Sequence, residues 1–333
     1  VDTNKIRLLV AEDSAYMQMA IRTMVKIDPS IQIVGEVKDG SQAVEVARLL
    51  KPDIITMDVN MPGLNGIDAS RRIMTEAPSV ILMFSTTTDK GVARTLQALE
   101  AGATDYLSKS SSAGDMDLSS ITTQLATRIR FWGLGARPYT TRRMAVPTPT
   151  PDTDLLVITG GAGSALAIGA LLRDLGPVTC PVVVSHDDMA SEVTLSLIDY
   201  IARTTRFAVR EGGHRAPLAP GAVTVMPAGR DARVRRDEAG RWILDFHGIP
   251  PGCGPNFLRS ATAAAARLTL ACLSGGARQL AALAPSFAEK PVALWIQDPA
   301  ECAVPDLVAE ALALAFPHMR LTSAPMMPAE RAA

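Results

Sequence analysis

Three acidic residues, a serine and a lysine in the first third of the chain are the residues best placed to do chemistry together. Glu12 and Asp13 follow the apolar run Ile6-Arg7-Leu8-Leu9-Val10-Ala11, and Asp58 follows Ile54-Ile55-Thr56-Met57 and precedes Val59-Asn60-Met61-Pro62-Gly63. Ser85 closes the run Val80–Phe84, and Lys109 comes two residues after Leu107. Short apolar runs bounded by polar or turn residues are the pattern of strands buried on both faces. In a parallel sheet the carboxyl ends of such strands share one edge, and ligands bind outside it. Three carboxylates gathered there repel one another unless a cation sits among them. Oxygen ligands without His or Cys favour Mg²⁺. A carboxylate beside a cation and an ammonium can accept a phosphoryl group, because both positive charges offset the charge of the moving group. Ser85 can hydrogen-bond one of its oxygens. Taken alone, Asp58 reads equally well as an acidic residue capping a loop.

The elements that must position these residues alternate regularly. Strands over residues 6–11, 31–35, 53–57, 80–84 and 103–107 are separated by helices over about 15–26, 40–50, 66–76 and 90–101. Ser14 can cap the first helix, and Lys51-Pro52 ends the second. This alternation implies an α/β fold with a parallel sheet and helices on both faces.

With these positions filled, residues 5–125 resemble the receiver domain of two-component response regulators, a doubly wound, flavodoxin-like fold. The resemblance implies that Glu12 and Asp13 hold the metal together with Asp58 and the backbone carbonyl of Asn60. It makes Asp58 the phosphoacceptor, Ser85 the switch hydroxyl, Tyr106 the aromatic switch and Lys109 the family lysine. Ser110 stands where proline commonly follows that lysine. The implied cofactor is Mg²⁺ and the implied partner a histidine kinase.

Beyond the receiver, Leu118, Ile121, Leu125 and Ile129 recur at helical spacing, predicting a helix through about Arg130. Arg137-Pro138-Tyr139, Arg142-Arg143 and the Pro/Thr run Val146–Pro151 follow. That composition forms an extended, solvated linker rather than a core element. The expected organisation is a receiver over 1–125, a linker over 126–152, a second domain over 153–322 and a tail over 323–333.

The second half reads as another doubly wound α/β unit. Leu155–Thr159 is a strand, Gly160-Gly161-Ala162-Gly163-Ser164 a glycine-rich turn, and about 165–175 a helix. Strand, turn and helix in that order can seat an anion on backbone N–H groups, though a turn without ligand fits as well. Pro181–Ser185 ends in His186-Asp187-Asp188, a strand-tip histidine near Ser164 that invites a hydrolase reading. Turns at Gly212-Gly213 and Pro220-Gly221 flank short strands. A helix over about 255–267, strands at 268–273 and 292–296 and a helix over 309–315 complete the unit.

Here the chain resembles the chemotaxis protein-glutamate methylesterase family, which joins a receiver to an esterase domain. The supports are the turn at 160–163, His186, Val225-Met226-Pro227-Ala228-Gly229, Pro255-Asn256, Gln297-Asp298 and Pro305. The resemblance implies a phosphorylation-switched esterase or glutamine deamidase acting on chemoreceptors, with a kinase of the chemotaxis type. Such chemistry needs a serine nucleophile, a histidine base and an orienting aspartate. His186 matches the base. The serine falls on Ile158, Gly161 or Ala162, none of which has a hydroxyl, and Leu273–Ala277 lacks the aspartate. A further family histidine is replaced near Asp231. Ser164 reads as a helix cap rather than a displaced nucleophile. The expectation is a degenerate esterase-like domain that binds without cleaving. The alternative is a working methylesterase with a rearranged site.

Bulk properties narrow the field. The chain has 333 residues, 47% hydrophobic and 20% charged, with formal net charge −1. That length favours two domains, and near-neutral charge gives no general pull toward nucleic acid or anionic membrane. No run is long enough to span a bilayer, no signal peptide opens the chain, and four scattered cysteines without a CxxC pair suit the cytoplasm.

Overall fold

The structure is a computed structural model describing residues 5–85, 91–109, 118–133, 152–161, 164–186, 191–246, 256–273, 280, 292–297 and 320–321. The chain forms two compact units, Val1–Thr140 and Thr141–Ala333. The Pro/Thr run, the helix expected at 309–315, Asp187-Asp188, Ser274–Ala277, Asp298, Pro305 and the tail lie outside the described residues.

The first unit holds β1 (Ile6–Ala11), α1 (Ala15–Lys26), β2 (Ile31–Val37), α2 (Gly40–Leu50), β3 (Ile54–Met57), α3 (Gly66–Glu76), β4 (Val80–Ser85), α4 (Gly91–Glu100), β5 (Asp105–Ser108) and α5 (Leu118–Gly133). Its sheet has the order β2-β1-β3-β4-β5, and every pairing is parallel. The chain runs from β1 outward to β2 and then returns to the other side of β1 as β3. That reversal opens a crevice at the carboxyl ends of β1 and β3. Every residue of β3 and β4 is buried, as expected of strands covered on both faces. Ser14, Asp39 and Asn65 each accept a hydrogen bond from the third residue beyond, capping α1, α2 and α3. Helix α5 is held to β5 at Asp105, whose carboxylate accepts from Trp132 Nε1 at 2.9 Å and pairs with Arg128.

The second unit holds β6 (Leu155–Gly160), α6 (Ala165–Asp174), β7 (Val182–His186), α7 (Ser191–Thr204), β8 (Ala208–Glu211), β9 (Ala222–Val225), β10 (Arg233–Arg236), β11 (Trp242–Asp245), α8 (Asn256–Ala264), β12 (Leu268–Cys272), β13 (Val292–Gln297) and β14 (Arg320–Leu321). Seven strands form a parallel sheet in the order β14-β13-β12-β6-β7-β9-β8. Its reversal falls between β6 and β12. The antiparallel pair β10–β11 was not expected from sequence. Arg233-Val234-Arg235-Arg236 lacks the apolar run of a buried strand, yet Val234 packs into a core with Trp242, Leu244 and Phe257. The hairpin is therefore a one-face strand pair, with Arg236 stacked over Trp242 at 4.2 Å. Helix α7 was also unassigned in the sequence reading.

Within the described residues no helix is long and apolar enough to cross a membrane. Cys180 and Cys272 are buried.

Candidate functional site

In the first unit the β1 and β3 tips meet through the main chain. Asp58 N–H donates to the Ala11 carbonyl at 2.9 Å, extending the ladder one residue past β3. Glu12 N–H donates to Val37 at 3.0 Å, and Lys109 N–H to Ser85 at 2.9 Å. Backbone pairing thus carries Glu12, Asp58, Ser85 and Lys109 to one edge. Glu12, Asp13 and Asp58 each offer a carboxylate oxygen, all within 4.8 Å of one another. Glu12 and Asp58 are buried, whereas Asp13 is exposed. Lys109 Nζ lies 2.6 Å from Glu12 Oε2 and 2.9 Å from Asp58 Oδ2, and sits 5.5 Å from the Phe84 ring centroid. Among the described residues one ammonium stands against three acids, so this group is short of positive charge. Burial raises the Glu12 carboxyl above its usual 4.5, and the nearby Asp58 charge adds to the rise, against the pull of Lys109. An oxygen-only set with excess negative charge, open on the Asp13 side, fits a hard divalent cation such as Mg²⁺.

The loop beyond Asp58 is closely packed. Its Oδ1 accepts from Asn60 N–H at 3.3 Å. The Asp58 carbonyl lies so near α3 that a Cβ built on Gly66 would fall 1.9 Å from it. A glycine is required there by close approach rather than by backbone angle. Ser85 is buried at the end of β4, and Tyr106 is buried within β5 opposite Met83. Glu12, Asp13, Asp58, Ser85 and Lys109 are therefore gathered on one edge of one sheet, whereas Tyr106 lies level with Met83, short of that edge.

Two residues here escaped the sequence reading. Gln18 Nε2 donates to the carbonyls of Glu12 (2.8 Å) and Val37 (3.2 Å), fixing the β1–α1 loop. Arg94 of α4 donates to Asn60 Oδ1 at 2.6 Å. Neither stands in a run or spacing that marks it; only the packing of α1 and α4 on the sheet brings them in.

In the second unit His186 ends β7 directly opposite Gly160 of β6. The imidazole is buried, and burial lowers its pKa from 6.5 to about 4, so it is neutral. Its Nε2 lies 3.0 Å from the Met226 carbonyl and 3.2 Å from Thr194 Oγ1. A carbonyl oxygen only accepts, so Nε2 carries the hydrogen and Nδ1 the lone pair. Nδ1 is buried and meets no partner among the described residues.

Ser164 does not cap α6 with its side chain, contrary to expectation. It occupies the position before the helix with φ −87° and ψ −9°, and its hydroxyl bonds no helix N–H. The residue is wholly buried, and its Oγ donates to the Gly161 carbonyl at 2.7 Å. With helical rather than extended angles, the side chain turns back into the glycine turn instead of forward over the N-terminus. Gly160 leaves it room, since a Cβ there would sit 2.3 Å from Oγ. Of the three positions open to a family serine, Ile158 is sealed within β6, Gly161 has no side chain, and Ala162 lies outside the described residues. Asp231 is buried at the start of α8, accepting from Asn256 N (3.2 Å), Asn256 Nδ2 (2.8 Å) and Phe257 N (3.1 Å). It serves as that helix's acidic cap.

Comparison with known proteins matches both units. The family model for a response regulator receiver domain matches residues 8–119, and that for the CheB methylesterase matches 156–330. A protein-glutamate methylesterase/protein-glutamine glutaminase of Thermotoga maritima is 34% identical over 231 residues, covering 67% of this chain and 66% of its own. One from a Nocardioides species is 32% identical over 292 residues, covering 81% and 79%. One from Bacillus subtilis is 31% identical over 263 residues, covering 74% and 73%. Among solved structures, the response regulator domain of Thermotoga maritima CheB shares 41% identity over 38% of this chain and 96% of its own, with a TM-score of 0.36.

Proposed function

The chain belongs to the family of chemotaxis response regulators that join a receiver to a CheB methylesterase domain, and from that premise we propose a phosphorylation-controlled protein whose output domain binds rather than cleaves. In this reading the receiver spans 1–125, the linker 126–152 and the output domain 153–322. The observation that carries it is the group of three carboxylates around Lys109 at the β1–β3 crevice. A carboxylate oxygen of Asp58 attacks phosphorus. The new O–P bond forms as the P–N bond to a kinase histidine breaks, and the imidazole leaves with the electron pair. Lys109 keeps a cation beside the accepting carboxylate throughout. Glu12, Asp13, Asp58 and the Asn60 carbonyl would hold Mg²⁺, which when bound neutralises charge on the transferred group. Ser85 at the end of β4 and Tyr106 within β5 then read the change.

For the output domain, three observations support binding without hydrolysis. Gly161 cannot supply a nucleophile, the Ser164 hydroxyl is buried and committed to a carbonyl, and the His186 N–H goes to the Met226 carbonyl rather than to an acid. A triad histidine must present a lone pair to the nucleophile and an N–H to the orienting acid. The retained His186, set opposite the glycine turn, favours the second reading, an active methylesterase or glutaminase acting on chemoreceptors.

Two assays decide these points. With Mg²⁺ and a radiolabelled small phosphodonor, the chain should take up a hydroxylamine-labile label that Asp58→Asn lacks; an unlabelled wild type would sink the receiver reading. On methylated chemoreceptor, methanol release should stay at background with or without phosphodonor. Turnover that His186→Ala abolishes would replace the binding reading with the enzymatic one.

A further inference from the structure

Arg94 lies on α4, apart from the residues that face the phosphoryl group in the reading above. Its guanidinium donates to the Asn60 carboxamide oxygen at 2.6 Å, and the Asn60 N–H donates to Asp58 Oδ1 at 3.3 Å. These two bonds link α4 to the phosphoacceptor through one residue, by its side chain on one side and its backbone N–H on the other. A polar cavity of about 340 Å³ opens beside them, lined by Val59, Asn60, Asn65, Asp68, Arg94 and Gln97 among others. It is large and polar enough to hold several waters. Arg71, the other cation on its wall, is already paired with Asp68 one turn earlier on α3. Solvent therefore stands within reach of Asn60, two residues from Asp58.

An acyl phosphate is lost when a water is held in line with phosphorus. A side-chain carboxamide with a free oxygen accepts a hydrogen bond from such a water and aims it. In this chain Arg94 takes one of that oxygen's two acceptor sites and holds the carboxamide toward α4. The guanidinium stays charged at any working pH and has donors to spare, so its hold on the oxygen does not lapse by titration.

We infer that Arg94 is a positioning residue that withholds the Asn60 acceptor from water and thereby prolongs the life of the aspartyl phosphate. The inference rests on the phosphoacceptor reading of Asp58. Its test uses the full chain, labelled with radioactive acetyl phosphate and Mg²⁺, freed of donor and followed over time. Arg94→Met keeps the aliphatic stem and removes the donors. It should shorten the label's half-life about fivefold while leaving the rate of labelling within about twofold. Arg94→Lys, which restores one donor, should recover part of the lifetime. In an Asn60→Ala background, Arg94→Met should have no effect, because the acceptor it releases is gone. Hydroxylamine footprinting of Asp58 confirms where the label sits. An unchanged half-life in Arg94→Met, or an equal shortening in the Asn60→Ala background, overturns the role of Arg94 and leaves Asp58 standing. Absence of label from the wild type removes the phosphoacceptor reading and this inference with it.

Discussion

Replacing Lys109 by Met tests the charge balance of the β1–β3 crevice. Lys109 Nζ is buried and makes two contacts to carboxylates, at 2.6 and 2.9 Å. Hydrogen bonds to charged groups contribute about 1.5–3 kcal/mol each, and leaving a buried charge unpaired costs about 3–5 kcal/mol. Asp13 is exposed and lets solvent reach one side, so the lower end applies. The metal-free variant should lose about 3 kcal/mol in the first unit. That corresponds to roughly hundredfold faster amide exchange in peptides from β1 and β3, read by mass spectrometry on the full chain. The response to Mg²⁺ should have the opposite sign. With the ammonium gone, the three acids attract a cation more strongly, so MgCl₂ should restore more protection to Lys109→Met than it adds to the wild type. Met matches the lysine stem in length, so packing loss is small. If the metal-free variant exchanges like wild type, the acids do not depend on Lys109 for compensation. If Mg²⁺ protects both proteins equally, the three carboxylates are not a cation site.

Two further outcomes follow from the geometry. Gly66→Ala places a Cβ 1.9 Å from the Asp58 carbonyl oxygen and 3.0 Å from Met57 Cγ; it should cost about 1–3 kcal/mol by thermal unfolding and lower labelling of Asp58 at least about tenfold, whereas Gly176→Ala, which meets nothing within 4 Å, should change stability by under about 0.5 kcal/mol. His186 takes up its proton near 6.5 when unfolded and near 4 when folded, so below pH 6.5 the unfolded state binds more protons and stability falls with pH until about 4. The full drop is about 3 kcal/mol; His186→Gln should flatten it in urea titrations of the second unit between pH 7.5 and 4.5, and an unaltered pH slope would show that the imidazole is not buried neutral.

Most of the first unit is legible in the chain itself. Apolar runs ending in Glu12, Asp58, Ser85 and next to Lys109 need only one physical rule, that parallel strands end together, to become a site. The strand boundaries moved by two residues at β2 and β5, which leaves that rule untouched. That Ile158, Gly161 and Ala162 carry no hydroxyl and Leu273–Ala277 no carboxylate is equally visible, because side-chain chemistry is a matter of composition. Tertiary structure alone decided the rest. Arg94 and Gln18 reach the site through helix packing that no local spacing encodes. The β10–β11 pair escaped detection because its arginines are exposed on a strand with one buried face, and periodicity over four residues is too short to register. The commitment of Ser164 to Gly161, and of the His186 proton to Met226, depends on side-chain direction. Residue identity fixes which groups are available, but hydrogen bonds are satisfied by whichever partner the fold brings within 3 Å or so, and that is settled only when the strands and helices have packed.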